Sequence, residues 1–223
     1  ISALFDAGMS NELFPLLLFI GIGAMIDFGP LLEKPWLMLF GAAAQFGIFV
    51  TLVLAGLFFD LPDAASIAVI GAADGPTAIF VANTLGSKYL GAIMALVPIV
   101  QPPVIRLCTT KKERLIRMPY QKGSVSKTTK ILFPIVVTML AGLVAPASVA
   151  LVGFLMFGNL LRECGVLNAL SETAQNVLAN LITIVLGLTV AGQMTADKFV
   201  RPDTLLILAL VLVAFVFDTA GGV

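Results

Sequence analysis

Long apolar stretches without a charged residue constrain this chain more than any other feature. Residues 35–59 and 176–194 contain no Asp, Glu, Lys or Arg. Because the hydrocarbon layer of a bilayer is roughly 30 Å thick, a spanning helix needs about 20 apolar residues. Over the whole chain 59% of the residues are hydrophobic and 12% are charged, whereas a soluble domain is about half apolar and a quarter charged. The sequence therefore predicts an all-α, polytopic membrane protein.

Glycine, proline and polar residues divide the apolar sequence into about eight segments, several of them short or broken. Spans are expected at 13–26, 35–59, 63–86, 89–108, 131–145, 148–161, 176–194 and 204–223, with 163–175 at the interface. The chain starts at Ile1 without Met and ends at Val223 directly after an apolar run. We therefore expect it to be part of a longer protein.

Two stretches of the chain are similar to each other. "LFIGIGAMIDFGPLL" (18–32) and "LVGFLMFGNLLRECGVL" (151–167) both contain glycines and a Phe-Gly, followed by a Leu-Leu pair. Many transporters consist of two repeats of opposite orientation, although chance similarity between apolar sequences is the alternative. We expect inverted repeats: a first membrane repeat over 1–105, a basic cytoplasmic loop over 106–130, and an incomplete second repeat over 131–223.

Charge and composition exclude several classes of function. The formal net charge is +0 and the chain has no His, so no general field attracts nucleic acid and the usual general base is missing. The two cysteines, Cys108 and Cys164, are far apart and suggest neither a disulfide framework nor a zinc site. No nucleophile triad or phosphate-binding glycine loop is present in the sequence.

Basic residues are concentrated in the one polar segment. Eight of the thirteen Lys and Arg residues fall there, with Glu113 as the only acid: Arg106, Lys111, Lys112, Arg114, Arg117, Lys122, Lys127 and Lys130. The positive-inside rule places such a loop in the cytoplasm. The loop either sets topology alone or also docks a cytoplasmic partner or membrane lipids through Lys111, Lys112 and Arg114.

"GAADGPTAIF" (71–80) places a carboxylate and a helix break at one point of an apolar segment. Pro76 has no N–H, so the Ala72 carbonyl loses its helical partner, and Gly75 lets the backbone turn. Asp74, the Thr77 hydroxyl and the carbonyls from Ala72 to Gly75 then form an all-oxygen, negative cluster that suits Na⁺. A charge at this depth costs at least about 3 kcal/mol. The alternative is a protonated or hydrogen-bonded structural Asp.

Five further residues in or beside apolar segments are candidates for a polar site: Asp27, Asn159, Asn176, Asn180 and Asp218. Asp27 precedes Phe-Gly-Pro, where an interfacial helix stop and a cation ligand fit equally. For the asparagines, interhelical hydrogen bonding is the alternative to ligation; Asn176 and Asn180 are four residues apart and share a helix face. Asp218, in "FDTAGG", repeats the carboxylate, threonine and glycine pattern of Asp74.

The motifs together resemble one family. "GIGAMIDFGPLL" (21–32), "GAAAQFGIF" (41–49), "GAADGPTAIFVANTL" (71–85), "MALVPIVQPP" (94–103), "TTKKERLIRM" (109–118) and "FGNLLRECGV" (157–166) occur in order over nearly the whole chain. They resemble the membrane-embedded beta subunit of biotin-dependent, sodium-transporting decarboxylases of oxaloacetate, methylmalonyl-CoA, malonate or glutaconyl-CoA.

The resemblance implies a mechanism. Carboxybiotin, delivered by a carboxyltransferase and biotin-carrier alpha subunit, is decarboxylated at this subunit, which consumes a proton and drives Na⁺ outward. It implies that Asp74 is the essential Na⁺- and proton-linked residue. It also implies a small single-span gamma (or delta) subunit, a homo-oligomer and a bacterial cytoplasmic (inner) membrane.

The chain departs from the family pattern at two places. Ile93 runs directly into Met94, where family members usually carry a short stretch with Tyr-Ser-Tyr, and a further C-terminal broken helix is not part of this sequence. In the family the C-terminal broken helix supplies further polar site groups, so a protein that truly lacked these parts would not be expected to pump. The rival functions are a secondary Na⁺-coupled transporter without decarboxylation and a passive membrane anchor for soluble subunits.

Overall fold

The computed structural model describes residues 2–70, 75–87, 106–107, 109–115, 125–192 and 201–222, and these residues contain helices and turns but no strand. The helices are α1 (Ser2–Gly8), α2 (Leu13–Met25), α3 (Gly29–Glu33), α4 (Met38–Ala44), α5 (Phe46–Ala55), α6 (Leu61–Ile70), α7 (Gly75–Thr84), α8 (Lys127–Val144), α9 (Val149–Glu163), α10 (Asn168–Thr173), α11 (Ala179–Ala191) and α12 (Pro202–Gly222). Short 3-10 turns occupy Pro35–Leu37, Glu113–Leu115 and Pro146–Ser148. A π-helical turn, Ala174–Leu178, joins α10 to α11.

Three helical segments of the described residues are long and apolar enough to cross a membrane. They are Pro35–Ala55, Lys127–Val144 and Asn168–Thr189, with mean hydropathies of 2.2, 1.5 and 1.2. Helix α2 and the segment Pro202–Phe217 are apolar but shorter. The predicted all-α membrane class is therefore confirmed.

The chain forms two compact units, and neither is continuous in sequence. Unit 1 comprises Ile1–Pro35 and Gln121–Val190, and unit 2 comprises Trp36–Tyr120 and Ala191–Val223. Each unit thus combines residues from before and after the basic loop. The division into two repeats at residues 105 and 131 concerns sequence similarity, and it stays a prediction.

In unit 1, α9 packs against both α2 and α8, and two glycines allow the closest of these approaches. A Cβ at Gly23 of α2 would overlap the backbone carbonyl of Leu155, and a Cβ at Gly158 of α9 would overlap that of Ile20. The two contacts are reciprocal, since each glycine lies against a carbonyl three residues before the other. Small residues that let membrane helices approach in this way are a common interface device.

Helices α2 and α9 run in the same direction at this crossing, because their C-terminal ends lie together. Asn159 and Arg162 of α9 both reach carbonyls in the last turn of α2. In space Gly23 lies against Gly158. In the sequence alignment of the two stretches, by contrast, the two Phe-Gly dipeptides correspond to each other. The two similar stretches therefore do not supply a pair of opposite orientation here, and the inverted repeat stays a prediction.

Helix α8 lies beside α9. Ser126 precedes it in an extended conformation, and its hydroxyl accepts the Thr129 N–H at 3.2 Å, a helix N-cap. Pro134 lies buried inside α8, and the 3-10 turn Pro146–Ser148 reverses the chain into α9. The N-terminus of α8 therefore lies beside the C-termini of α2 and α9.

In unit 2, α12 packs against α4, α5 and α6, and α7 packs against α6. The buried cluster at the centre is apolar: Ala55, Ala64, Ile67, Ala78, Ile207, Leu210, Val211 and Phe215. Alanines on α5, α6 and α7 keep these helices close, while α12 contributes the larger side chains. This core fixes α7, the helix that follows the Asp74 motif.

Candidate functional site

The motif at residues 71–77 is only partly within the described residues. Asp74 and Ala72 lie outside them, as does the side chain of Asp218. Gly75 is the first residue of α7, and Thr77 lies half-buried in its first turn. Asp74 and the carbonyls from Ala72 to Gly75 therefore remain predicted Na⁺ ligands.

Helices α6 and α7 pack against each other. In one straight helix, each residue adds about 1.5 Å along the axis. Two successive parts of such a helix would touch only near their adjoining ends and could not pack side by side. Leu61–Ile70 and Gly75–Thr84 are thus not consecutive turns of a single straight helix. This is the arrangement that a break at the Asp-Gly-Pro sequence predicts.

Asp63 is a buried carboxylate that the sequence reasoning missed. It lies in the first turn of α6 with 7% of its surface exposed, and its N–H is 3.4 Å from Asp60 Oδ1. The positive end of a helix stabilises a carboxylate at this position. Leu-Pro-Asp before an apolar run is a helix-start signal, which could have located the residue but not its burial.

The last turn of α2 leaves backbone carbonyls that α9 satisfies. The Asn159 amide donates to Ile26 O at 2.9 Å and to Gly23 O at 3.4 Å, and Arg162 Nη1 donates to Met25 O at 2.6 Å. A helix end needs such partners, because its last carbonyls have none within the helix. Asn159 thus makes interhelical hydrogen bonds. Its own Oδ1 is buried without a partner among the described residues.

Asp27 belongs to a group of four charged side chains at the same end of unit 1. Lys130 of α8 lies 3.7 Å from Asp27 and 3.8 Å from Glu163, and Arg162 lies at the same distances from the same two carboxylates. Asp27 Oδ1 also accepts the Gly29 N–H at 2.8 Å. The two acids and two bases balance, and the group joins three helices. This geometry is that of an interfacial helix stop, while a cation role for Asp27 stays a prediction.

Asn176 and Asn180 lie on the exposed side of the π-helical turn and α11. The Asn180 amide donates to the Asn176 carbonyl at 2.6 Å, so the two residues are neighbours on one face. They lie on a different part of unit 1 from Asn159 and Asp27. A metal-binding group of three or more His, Cys, Asp or Glu side chains does not occur within the described ranges.

The candidate docking residues follow a defined turn. Glu113 Oε2 accepts from the Thr110 N–H at 2.7 Å and from the Thr110 hydroxyl at 2.8 Å, while the Thr110 hydroxyl lies 3.3 Å from the Glu113 N–H. This reciprocal arrangement is a capping box. The one acid of the basic loop is therefore used locally, and Lys111 and Lys112 are exposed between its members. The side chain of Arg114 lies outside the described residues.

Comparison with known proteins places this chain. The family described as the Na⁺-transporting oxaloacetate decarboxylase beta subunit matches residues 1–223. The chain belongs to this family.

Relatives in the beta-subunit family are similar over nearly the whole chain. Identity is 49% with the oxaloacetate decarboxylase beta chain 2 of Salmonella typhi, over 100% of this chain and 54% of that protein. It is 52% with the methylmalonyl-CoA decarboxylase subunit beta of Propionigenium modestum, over 95% and 55%. It is 48% with that of Veillonella parvula, over 100% and 62%. The chain spans about half the length of the first curated relatives it matches.

Two of the stretches that carry the beta-subunit resemblance meet in space. Residues 21–32 supply Gly23 and Asp27, and residues 157–166 supply Gly158, Asn159 and Arg162. They contribute packing and ion pairs there, and the role of Asp27 and Asn159 in a polar site stays a prediction. In this family member the described part of the candidate Na⁺ site is Gly75 and Thr77 on α7.

Proposed function

We propose that this chain is the membrane subunit of a biotin-dependent, sodium-pumping decarboxylase. The observation that carries the proposal is the family match over residues 1–223, and the membrane-spanning helices support it. In this function the subunit couples decarboxylation of carboxybiotin to Na⁺ export. The proposal includes a bacterial cytoplasmic (inner) membrane location, because the named relatives are bacterial proteins.

The chemistry requires a group that handles both a proton and Na⁺. When the N–C bond of carboxybiotin breaks, CO₂ leaves, and the electron pair left on the ring nitrogen takes up a proton. Asp74 is the proposed coupling residue, because one carboxylate holds either a proton or Na⁺ well but not both. Thr77 and the carbonyls from Ala72 to Gly75 are the proposed further ligands, since hard cations take oxygen ligands. The α6–α7 packing supports a backbone interruption at this point.

Partner subunits supply the rest of the reaction. We propose a carboxyltransferase and biotin-carrier alpha subunit and a small single-span gamma (or delta) subunit, in a complex that contains several copies of this chain. Relatives named for oxaloacetate and for methylmalonyl-CoA are 49% and 52% identical to it. The sequence similarity of this chain therefore does not indicate which acid is decarboxylated. This is expected if another subunit binds the acid.

The test uses the complete complex in liposomes, with radioactive sodium uptake and CO₂ release measured together. The pump requires uptake that depends on the acid substrate and is blocked by avidin, which sequesters biotin. Uptake indifferent to avidin and substrate would instead identify a secondary Na⁺-coupled transporter.

Substitution of the coupling residue separates the pump from a passive anchor. Asp74→Asn should abolish both uptake and CO₂ release. Asp203→Asn is the matched control, because Asp203 is exposed and is paired with Arg201 at 3.8 Å in the part of the chain that the structure describes. This substitution should leave both activities unchanged. Retention of both activities in Asp74→Asn would favour the membrane anchor.

A further inference from the structure

The Asn168–Thr189 segment, one of the candidate spans, has three distinct faces. One face is buried: Ser171, Ala174, Ala179, Ile182, Leu186 and Thr189. It packs against α2, where a Cβ at Gly21 would come within 2.7 Å of both Ala174 O and Ala179 Cβ. This face holds the segment in unit 1.

The second face is apolar and exposed. Val177, Leu181, Ile184 and Leu188 follow one another at helical spacing, with between 54% and 61% of each residue exposed. Large apolar side chains in this position are what a membrane helix presents to lipid. We call this side of the segment the lipid face.

The third face, beside the second, is exposed and polar. Glu172, Asn176, Asn180, Thr183 and Gly187 recur every three or four residues and have no covering element within unit 1. We call them the acceptor face. Amide, hydroxyl and carboxylate groups inside a membrane avoid hydrocarbon and face a water-filled cavity or other protein.

The hydrogen bonds of this face leave several oxygen atoms available as acceptors. Asn180 Nδ2 donates to Asn176 O at 2.6 Å, and the Thr183 hydroxyl donates to Ala179 O at 2.7 Å. One of the two Asn180 N–H donors and the single Thr183 O–H donor are therefore used within the helix, while Asn180 Oδ1, the Thr183 oxygen and the Glu172 carboxylate remain as acceptors. A partner helix would need to supply several donors to cover them, whereas water supplies donors everywhere, and hard cations prefer oxygen.

The position of the face in the membrane follows from unit 1. The segment starts next to the C-terminus of α9, at the end that carries Lys130 and the other charged side chains. The basic loop precedes α8 at this end, so the positive-inside rule assigns it to the cytoplasm. Glu172 then lies near the cytoplasmic surface, and Asn180 and Thr183 lie deeper.

We propose that the acceptor face lines a water-filled vestibule through which Na⁺ approaches from the cytoplasm. The proposal rests on the proposed function in one respect, since it takes Na⁺ as the cargo. It assigns Glu172, Asn180 and Thr183 to attracting the hydrated cation, and it leaves the binding step to the Asp74 motif.

Cysteine accessibility tests the vestibule in the complete complex. Cys108→Ala and Cys164→Ala remove the two thiols of this sequence and serve as the labelling background, and Asn180→Cys or Thr183→Cys introduces one on the acceptor face. Leu181→Cys and Ile184→Cys are matched controls on the lipid face, and Ile182→Cys is the buried control. A membrane-impermeant cationic thiol reagent is applied to inside-out vesicles.

The acceptor-face thiols should react at least about tenfold faster than the controls, because the reactive thiolate forms in water and not in apolar surroundings. A cationic reagent should outpace an anionic one of equal size by about tenfold or more. High NaCl, compared with choline chloride, should slow the acceptor-face reaction alone.

Two results would overturn the proposal. Acceptor-face thiols as slow as Ile182→Cys would mean that protein covers the face, and a faster anionic reagent would exclude a cation route. Labelling needs no pumping, so rapid acceptor-face labelling without avidin-sensitive uptake would reject the proposed function alone. Gel filtration checks that each variant still assembles into the complex. Agreement between the two acceptor-face positions then excludes the misfolding of one variant as the cause of its labelling rate.

Discussion

Gly23 and Gly158 are the residues on which the crossing of α2 and α9 depends. A Cβ on either would overlap a backbone carbonyl of the other helix, and backbone cannot move aside as a flexible side chain can. Gly23→Ala and Gly158→Ala should each destabilise the protein by about 1–3 kcal/mol, the usual cost of overpacking. Thermal unfolding of the purified complex in detergent measures the effect.

Gly41→Ala is the matched control for these substitutions. Gly41 lies in α4, and a Cβ there would meet nothing within 4 Å. Alanine favours a helix over glycine by up to about 1 kcal/mol, so this variant should be neutral or slightly more stable. Equal effects at Gly23 and Gly41 would show that the two helices do not approach as closely as the structure indicates.

At the scale of elements, the last turn of α2 is held by one buried and one half-buried side chain of α9. Asn159 is 1% exposed and donates to Ile26 O, whereas Arg162 reaches Met25 O at an exposed position. Asn159→Leu keeps the volume but leaves buried carbonyls without a donor, which should cost about 1–3 kcal/mol.

Arg162→Gln is the comparison. Water can replace the guanidinium at the exposed carbonyl. The Arg162 ion pairs at 3.7 and 3.8 Å are only partly buried, and Lys130 remains beside both carboxylates, so their loss should cost about 1 kcal/mol. The Asn159 variant should therefore unfold at the lower temperature. Only the stability difference between the Arg162 variant and the parent protein should shrink as salt is added, because salt screens the ion pairs that the parent keeps. The reverse order would contradict the assigned roles.

Most helices of the fold could be predicted from the long apolar runs of the sequence. A long run without charged residues can do little else than form a membrane-spanning helix. The 131–145 and 148–161 runs correspond to α8 and α9, and 204–223 to α12. The segment 163–175 was expected at the interface, yet Asn168 begins a helix that continues to Ala191. The polar residues of this segment lower its average hydropathy. An average over the segment does not show that these residues lie on separate faces of one helix.

The candidate site was harder to predict than the fold. Asp27 and Asn159 were identified as polar residues in apolar sequence, but the sequence could not show that α2 and α9 bring them to the same helix end. The sequence also did not single out Lys130 or Glu163. Both residues lie far from Asp27 along the chain, and neither belongs to a recognisable motif. Interhelical contacts of this kind depend on packing register, which local sequence does not specify.

At the scale of the whole molecule, the basic loop offers a surface for a partner. Lys111 and Lys112 are exposed within a capping box whose acid, Glu113, is already used by Thr110. Gln substitution of Lys111, Lys112 and Arg114 together should weaken association with the alpha subunit, most clearly at low salt. Co-purification with the biotinylated subunit measures this. The matched control is the pair Lys34→Gln and Arg201→Gln outside the loop; unchanged association and turnover in the loop variant would exclude docking there.

The orientation of unit 1 gives the last prediction. Helix α8 has 18 residues and is about 27 Å long at 1.5 Å per residue, so its two ends lie on opposite sides of the membrane. Lys127 at its start should be cytoplasmic, because it lies in the basic loop. Ser148, after its other end, should then face outward, together with Asn11, which precedes α2.

Single cysteines at these positions, in the background without Cys108 and Cys164, test the arrangement with an impermeant thiol reagent. Lys127→Cys should react in inside-out vesicles, and Ser148→Cys and Asn11→Cys in right-side-out vesicles. Reaction of Lys127→Cys and Ser148→Cys from the same side would mean that α8 does not span. A clean reversal would preserve the helices but place Glu172 and the acceptor face toward the outside, where Na⁺ would leave the protein instead of approaching it.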